Sequence, residues 1–265
     1  MRVALSIAGS DPTGGAGLQA DLQVFRALGV HGAGVVTALT VQDTERVHRV
    51  LPVFPSVVLE QLRVLLRDIT PDAVKIGMLA TDDVARNVEL GLHELGRASS
   101  SPVPIAIDPV LWASDGTPLL ERRGWGVLED LIGRAAIVTP NLPEAEALSG
   151  SDVSTEEGVE AAASGLVANL GAQAALVTGG HRDGPPHDLL AVREGGGVVF
   201  HWLEGERIDR GPVHGTGCAL TSAIAAGLAR GKPLREAVAS ARRFVASALR
   251  RADARGKRAR FLVYD

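Results

Sequence analysis

Apolar residues along this chain follow two rhythms. Unbroken runs at Arg2 to Ala8, Val30 to Leu39, Ala73 to Leu79, Pro104 to Val110, Ala135 to Asn141 and Ala174 to Gly180 have the composition of strands buried on both faces. Between them apolar positions recur at helical spacing. Leu18, Leu22, Phe25 and Leu28 precede a stop at Gly29, and Leu59, Leu62, Leu65 and Leu66 follow Pro55. Thr81-Asp82-Asp83 predicts a capped helix start, acidic in its first turn, and Ser154-Thr155-Glu156-Glu157 opens a helix running to about Leu170. Strand and helix alternate, which predicts an α/β fold with a mostly parallel sheet covered on both faces. From His187 the pattern changes. Leu189 to Val192 and Val198 to Leu203, joined by Glu194-Gly195-Gly196-Gly197, predict an antiparallel hairpin at the sheet's edge. Two helices close the chain, one after Gly217 and one from about Leu234 to Ala252, and the short basic stretch Arg255 to Arg260 is expected to be a solvated end. No repeat or low-complexity linker divides the 265 residues, so 1–265 reads as one domain.

Composition narrows the function. Apolar residues make up 46% and aromatic ones 3%, so alanine and aliphatic side chains build the core. A formal charge of −4 supplies no basic field for nucleic acid, and no apolar run approaches a membrane span. A single cysteine excludes an internal disulfide and, with no leader pattern at the N-terminus, points to a cytoplasmic protein.

That cysteine lies in the most informative stretch, Val213-His214-Gly215-Thr216-Gly217-Cys218, directly before an alanine-rich run that ends at Gly231-Lys232-Pro233. The glycines let N–H groups of the helix's first turn converge on one point, which suits an oxyanion or phosphate. A thiol on that turn is expected to have its pKa pulled below about 8.5. Anion hole plus base predicts group transfer onto a hydroxyl. Ligands of open α/β sheets sit off the carboxyl ends of the strands, where this chain carries Asp11, Gln42, Asp108, Asn141 and Gly179-Gly180. The first glycine cluster lacks G-x-G-x-x-G spacing, and no Walker loop occurs. Taken singly, Asp11 reads as a turn former, Asp21 as a helix-dipole partner, Asn141 as a cap and Cys218 as a small buried hydrophobe. His181 and His214 lack neighbours at zinc-ligand spacing.

Taken together the blocks say more. Ala8-Gly9-Ser10-Asp11-Pro12-Thr13-Gly14-Gly15-Ala16-Gly17-Leu18-Gln19-Ala20-Asp21 resembles the opening of the hydroxymethylpyrimidine (phosphomethylpyrimidine) kinases, thiamine-pathway members of the ribokinase-like superfamily. Thr37 to Thr44, Lys75 to Leu79, Ile107 to Val110, Thr139 to Ala145 and His214 to Cys218 follow in that family's order, so the resemblance spans roughly residues 3 to 250. It implies a three-layer α/β/α ribokinase-like fold and an ATP- and Mg²⁺-dependent kinase acting on 4-amino-5-hydroxymethyl-2-methylpyrimidine and its monophosphate, and it implies a homodimer. By the same resemblance Asp21 and Gln42 hydrogen-bond the ring, with Gly9, Gly15 and Met78 shaping its pocket. Asn141 with Thr178 and Gly180 serves the nucleotide, and Glu144 with Asp108 serves Mg²⁺. Gly215, Thr216 and Gly217 form the anion hole, and Cys218 is the base.

Two positions depart from that family's pattern. Lysines expected near the nucleotide phosphates are replaced by Thr178 and by Ser114 in Ala113-Ser114-Asp115-Gly116, with Arg242 or Arg182 as possible substitutes, and the tail reads Arg258-Ala259-Arg260-Phe261. The rival readings are a pyridoxal kinase and a catalytically silent pyrimidine-binding relative.

Overall fold

The computed structural model describes residues 1–99, 101–180 and 187–264. In chain order β1 (Val3–Ser10) turns through a glycine loop into α1 (Gly17–Ala27), and β2 (His31–Gln42) and β3 (Val47–Pro52) follow. Next come α2 (Pro55–Asp68), β4 (Ala73–Ile76), α3 (Asp82–Ala98), β5 (Ile105–Ile107), α4 (Trp125–Ile132), β6 (Ile137–Val138), α5 (Leu142–Ser149), α6 (Glu156–Ser164) and β7 (Ala174–Val177). The hairpin β8 (His187–Glu194) and β9 (Gly197–Glu204) precedes β10 (Val213–His214), α7 (Thr216–Ala229), α8 (Leu234–Arg250), β11 (Asp253–Ala254) and β12 (Arg260–Phe261).

A nine-stranded sheet runs β3-β2-β1-β4-β5-β6-β7-β8-β9. The strands from β2 to β7 are parallel, whereas β3 pairs antiparallel with β2 at one edge and the β8–β9 hairpin joins β7 antiparallel at the other. Alternate residues of each strand enter different layers. Leu5, Ile7, Val74, Ile76, Ile105 and Ile107 join the core under α2 to α6. Ala4, Ala73 and Ala106 face the other core, which holds α1, α7 and α8. Small residues on that face let α7, itself rich in Ala219, Ala223, Ala225 and Ala226, lie close over the central strands. A helix apolar on every side is a buried helix, and α7 is buried along nearly its whole length. Its N-terminus is thereby carried to the carboxyl ends of β1, β4 and β5.

The helix starts follow the predicted chemistry. Thr81 caps α3 by accepting from the N–H of Val84, and Thr155 caps α6 by accepting from Gly158. The predicted long helix from Thr155 is regular only to Ser164 and loosens into a π-turn at Gly165–Asn169.

Three elements depart from the sequence expectations. β3 pairs with β2 through an exposed, polar-interrupted run, so it showed no buried-strand signature. The eight-residue α4 packs Trp125, Val127, Leu128, Leu131 and Ile132 inward and is too short for a clear periodicity. The basic tail is no loose end: β12 pairs with β10 and β11 in a small second sheet, carrying Phe261 back to the first glycine loop. Among the described residues no helix is long and apolar enough to cross a membrane.

Candidate active site

Two glycine loops meet at the end of the sheet. Gly17 starts α1 at φ +60°, and a Cβ there would lie 2.4 Å from the carbonyl oxygen of Gly9. Gly215 caps α7 at φ +82°, and a Cβ there would lie 1.8 Å from the carbonyl oxygen of Gly15. Only glycine permits both the left-handed backbone and such close approach. The amides of Gly215, Thr216 and Gly217 thus open α7 with no side-chain cap hydrogen bond at its start.

Cys218 sits on that first turn, half-buried, and the N–H of Gly17 donates to its sulfur. Its pKa runs opposite to the sequence expectation. Loss of water contact pushes the thiol up to about 12, Asp108 and Asp21 add to the rise, and Lys75 and the Gly17 amide act the other way. In the resting protein the proton therefore stays on sulfur. The thiol faces Asp108 closely enough to help hold that carboxyl down, although burial dominates and leaves Asp108 raised.

Asp108 also neighbours Glu144. Burial first, and Asp108 second, raise Glu144 to about 7. Glu144 completes a capping box at α5: its Oε2 accepts from the N–H of Asn141 at 3.0 Å, and Asn141 Oδ1 accepts from the N–H of Glu144 at 2.9 Å. Its Oε1 accepts from the N–H of Leu111 at 3.2 Å, which is turned inward by Val110 at φ +27°, a strained conformation for a β-branched residue. Asn141 is therefore the helix cap its position suggests, and it also holds Glu144 in place. Two neighbouring carboxylates, each raised first of all by burial, suit a divalent cation with oxygen preference. Among the described residues no group of three or more His, Cys, Asp or Glu is placed to hold a metal ion.

Asp21 is not a pocket residue. It is fully buried, and its oxygens accept from Ser6 Oγ (2.6 Å), Ser222 Oγ (2.7 Å) and Lys75 Nζ (2.8 and 3.0 Å). With every ready acceptor position engaged it has no lone pair facing open space. Lys75, passed over in the sequence as part of a strand, is the buried counter-ion, its pKa raised against the pull of burial by Asp21, Cys218 and Asp108. A lysine inside an otherwise apolar strand was the available signal, because a buried charge needs a partner.

The other expected positions divide. Gln42 lines an open cavity of about 410 Å³ with Pro12, Thr13, Asp43, Thr44, Glu45, Gly256 and Lys257. Met78 and Gly9 touch, since a Cβ on Gly9 would lie 2.8 Å from the Met78 sulfur. Gly15 is roofed by Phe261 and His214. Thr178 and Gly180 follow the end of β7, where Thr178 bridges to Asn141. Arg242 is not free to replace a lysine there: it bonds Asp188 Oδ2 at 2.8 Å and the carbonyl of Leu203, while Asp188 Oδ1 accepts from Gly179. Arg182 and His181 lie outside the described residues. Asp11 exceeds its expected role as a turn former, accepting from the N–H and Oγ1 of Thr13, the N–H of Ala16 and His214 Nε2 at 2.8 Å. Burial pushes its carboxyl up, but the bonds from His214 and Thr13 outweigh it and hold the group below the usual range.

A family model for phosphomethylpyrimidine kinase matches residues 11–262 of this chain. The chain is 41% identical over 252 residues to the hydroxymethylpyrimidine/phosphomethylpyrimidine kinase of Rhizobium meliloti, covering 95% of this chain and 91% of that one. It is 42% identical over 255 residues to a thiamine biosynthesis bifunctional protein of Geobacter sulfurreducens, covering 96% of this chain and spanning 50% of that protein's length. An ADP complex of Bacillus subtilis pyridoxal kinase superposes with a TM-score of 0.88 at 31% identity, over 100% of this chain and 97% of that one.

Two outcomes follow from the buried groups. Asp21→Ala should cost about 3–5 kcal/mol by stranding Lys75, read by urea denaturation, with pyrimidine affinity of the folded fraction retained. Weaker binding at unchanged stability would return Asp21 to the pocket. Glu144, with a folded pKa of about 7 against 4.5 unperturbed, keeps a proton between those values that the unfolded chain has released. Stability should therefore fall as pH rises through that window and level off above it. Glu144→Gln should flatten the slope of Tm between about pH 5 and 7; an unchanged slope would assign the titration to another group.

Proposed function

The chain belongs to the phosphomethylpyrimidine kinase family, and on that premise we infer that it transfers the γ-phosphoryl group of ATP to the hydroxymethyl oxygen of 4-amino-5-hydroxymethyl-2-methylpyrimidine and then to the monophosphate so formed. The observation that carries the reading is the meeting of Cys218, the Gly215–Gly217 amides and the Asp108–Glu144 carboxylates around one helix N-terminus.

Phosphoryl transfer demands alignment and charge stabilisation more than covalent chemistry from the protein. The amides of Gly215, Thr216 and Gly217 receive the equatorial oxygens of the moving group, aided by the positive end of α7. As the Cys218 sulfur takes the proton of the attacking alcohol, its own S–H proton passes to the Asp108 carboxylate that accepts its hydrogen bond, so the pair acts together as the base. Glu144 and Asp108 would hold Mg²⁺, which would supply positive charge against the phosphates and the two carboxylates. Asn141 fixes Glu144 through the capping box, and Thr178 and Gly180 lie on the nucleotide side. Gln42 hydrogen-bonds the ring, and Gly9, Gly15 and Met78 shape its pocket, a reading supported by Gln42 lining an open cavity and by the contact of Gly9 with Met78. A free thiol at the reacting centre suits a reducing cytoplasm. Leu39, Val41, Leu51 and Phe54 are exposed apolar side chains on and just after the β2–β3 ribbon, and they support assembly as a homodimer through that edge.

Cys218→Ala should lower kcat by about 10²-fold or more with little change in pyrimidine affinity, checked by steady-state kinetics beside calorimetry. Unchanged turnover would remove the thiol from the mechanism. The likeness to the Bacillus pyridoxal kinase favours a second reading, a pyridoxal kinase. A higher kcat/KM for the pyrimidine alcohol than for pyridoxal is expected, and the reverse order would establish the second reading. Sedimentation should give a dimer that Leu39→Lys with Leu51→Lys turns into a monomer; a monomeric parent protein would dismiss that edge as an interface.

A further inference from the structure

His214 stands at the join of three parts of the site and has no role in the scheme above. Its Nε2 lies 2.8 Å from Asp11 Oδ2, and the same nitrogen lies 3.4 Å from the Gln42 side-chain amide, at the atom placed as nitrogen. Its ring covers Gly15 beside Phe261, and it directly precedes the Gly215 loop. Gln42 makes no other side-chain hydrogen bond among the described residues.

Hydrogen-bond accounting decides what Gln42 offers a ligand. Asp11 is buried, 3% exposed, and its carboxylate is already the acceptor of three other bonds. An ionised carboxylate can only accept, so the His214 Nε2 facing it carries the hydrogen, whether the ring is neutral or protonated. An Nε2–H cannot accept from an amide NH₂. The two ends of a glutamine amide are nearly equal in shape and are assigned by the network around them. The end facing His214 is then the carbonyl oxygen, the more distant acceptor of a three-centre bond whose one Nε2–H is shared with Asp11, and the NH₂ is left for the pocket.

We propose that His214 is a positioning residue that turns the Gln42 amide so that its NH₂ faces the ligand, making Gln42 a reader of an unprotonated ring nitrogen. The ligand class is a neutral aza-heterocycle with an in-plane lone pair. An exocyclic amine, a donor, is not what Gln42 reads. This deepens the function proposed above and rests on Gln42 facing the ring.

Two measurements test it. Long-range ¹H–¹⁵N spectra of the full ¹⁵N-histidine-labelled chain, assigned with His214→Asn, should show a hydrogen on Nε2 of His214; a neutral ring protonated only on Nδ1 would overturn the proposal without requiring any variant to be active. Calorimetry should compare 4-amino-5-hydroxymethyl-2-methylpyrimidine with its two analogues in which one ring nitrogen is replaced by C–H. The unaltered protein should lose about tenfold in affinity for one analogue, the scale of one buried hydrogen bond. In His214→Ala that preference should shrink to about twofold or less, with the loss in KM and not in kcat. A preference as large in His214→Ala as in the parent would overturn it. A preference that also survives Gln42→Ala would overturn it at its premise, by taking the ring away from Gln42, while leaving the Cys218 chemistry standing.

Discussion

Asp21 and Lys75 neutralise each other in the interior, and that ion pair fixes how two helices begin. On α1, Gly17 and Asp21 are one turn apart; on α7, Cys218 and Ser222 are one turn apart. At the lower level Ser222 bonds Asp21, which also holds Lys75 from β4 and Ser6 from β1. At the upper level the Gly17 amide meets the Cys218 sulfur. A buried charge without its partner is strongly unfavourable, so the lower level admits one arrangement and dictates the upper one. Small side chains above the sheet and glycines at both loop tips let the helices come that close.

The upper level is organised around surplus negative charge. Asp108, Glu144 and a thiol that holds its proton share a space short of water, with Lys75 as the buried cation beside them. Burial raises all three groups, so each holds its proton more tightly than it would in water. Preorganised amides at α7 then need little rearrangement to take up the phosphoryl oxygens, which is where enzymes of this kind draw most of their rate.

Much of this was legible in the chain itself. Continuous apolar runs announced the parallel strands, Thr81 and Thr155 announced their helices, and the order of the glycine, Asn141–Glu144 and His214–Cys218 blocks announced the chemistry. What escaped depended on long-range pairing. Asp21 looked like a pocket residue because nothing local reveals that Lys75, 54 positions away, takes its oxygens. Cys218 looked acidic because the helix terminus is visible in sequence, whereas the desolvation and the two carboxylates that outweigh it are not. β3 and the tail strands β11 and β12 are short or exposed, so their identity comes from their partners and not from their own residues.

The most direct measurement of the central claim is a crystal structure with the pyrimidine alcohol and a non-hydrolysable ATP analogue. The account predicts the hydroxymethyl oxygen within about 4 Å of the Cys218 sulfur, with the terminal phosphate on the amides of Gly215 to Gly217. A hydroxymethyl oxygen held by another titratable side chain, with the sulfur turned into the alanine packing of α7, would contradict it.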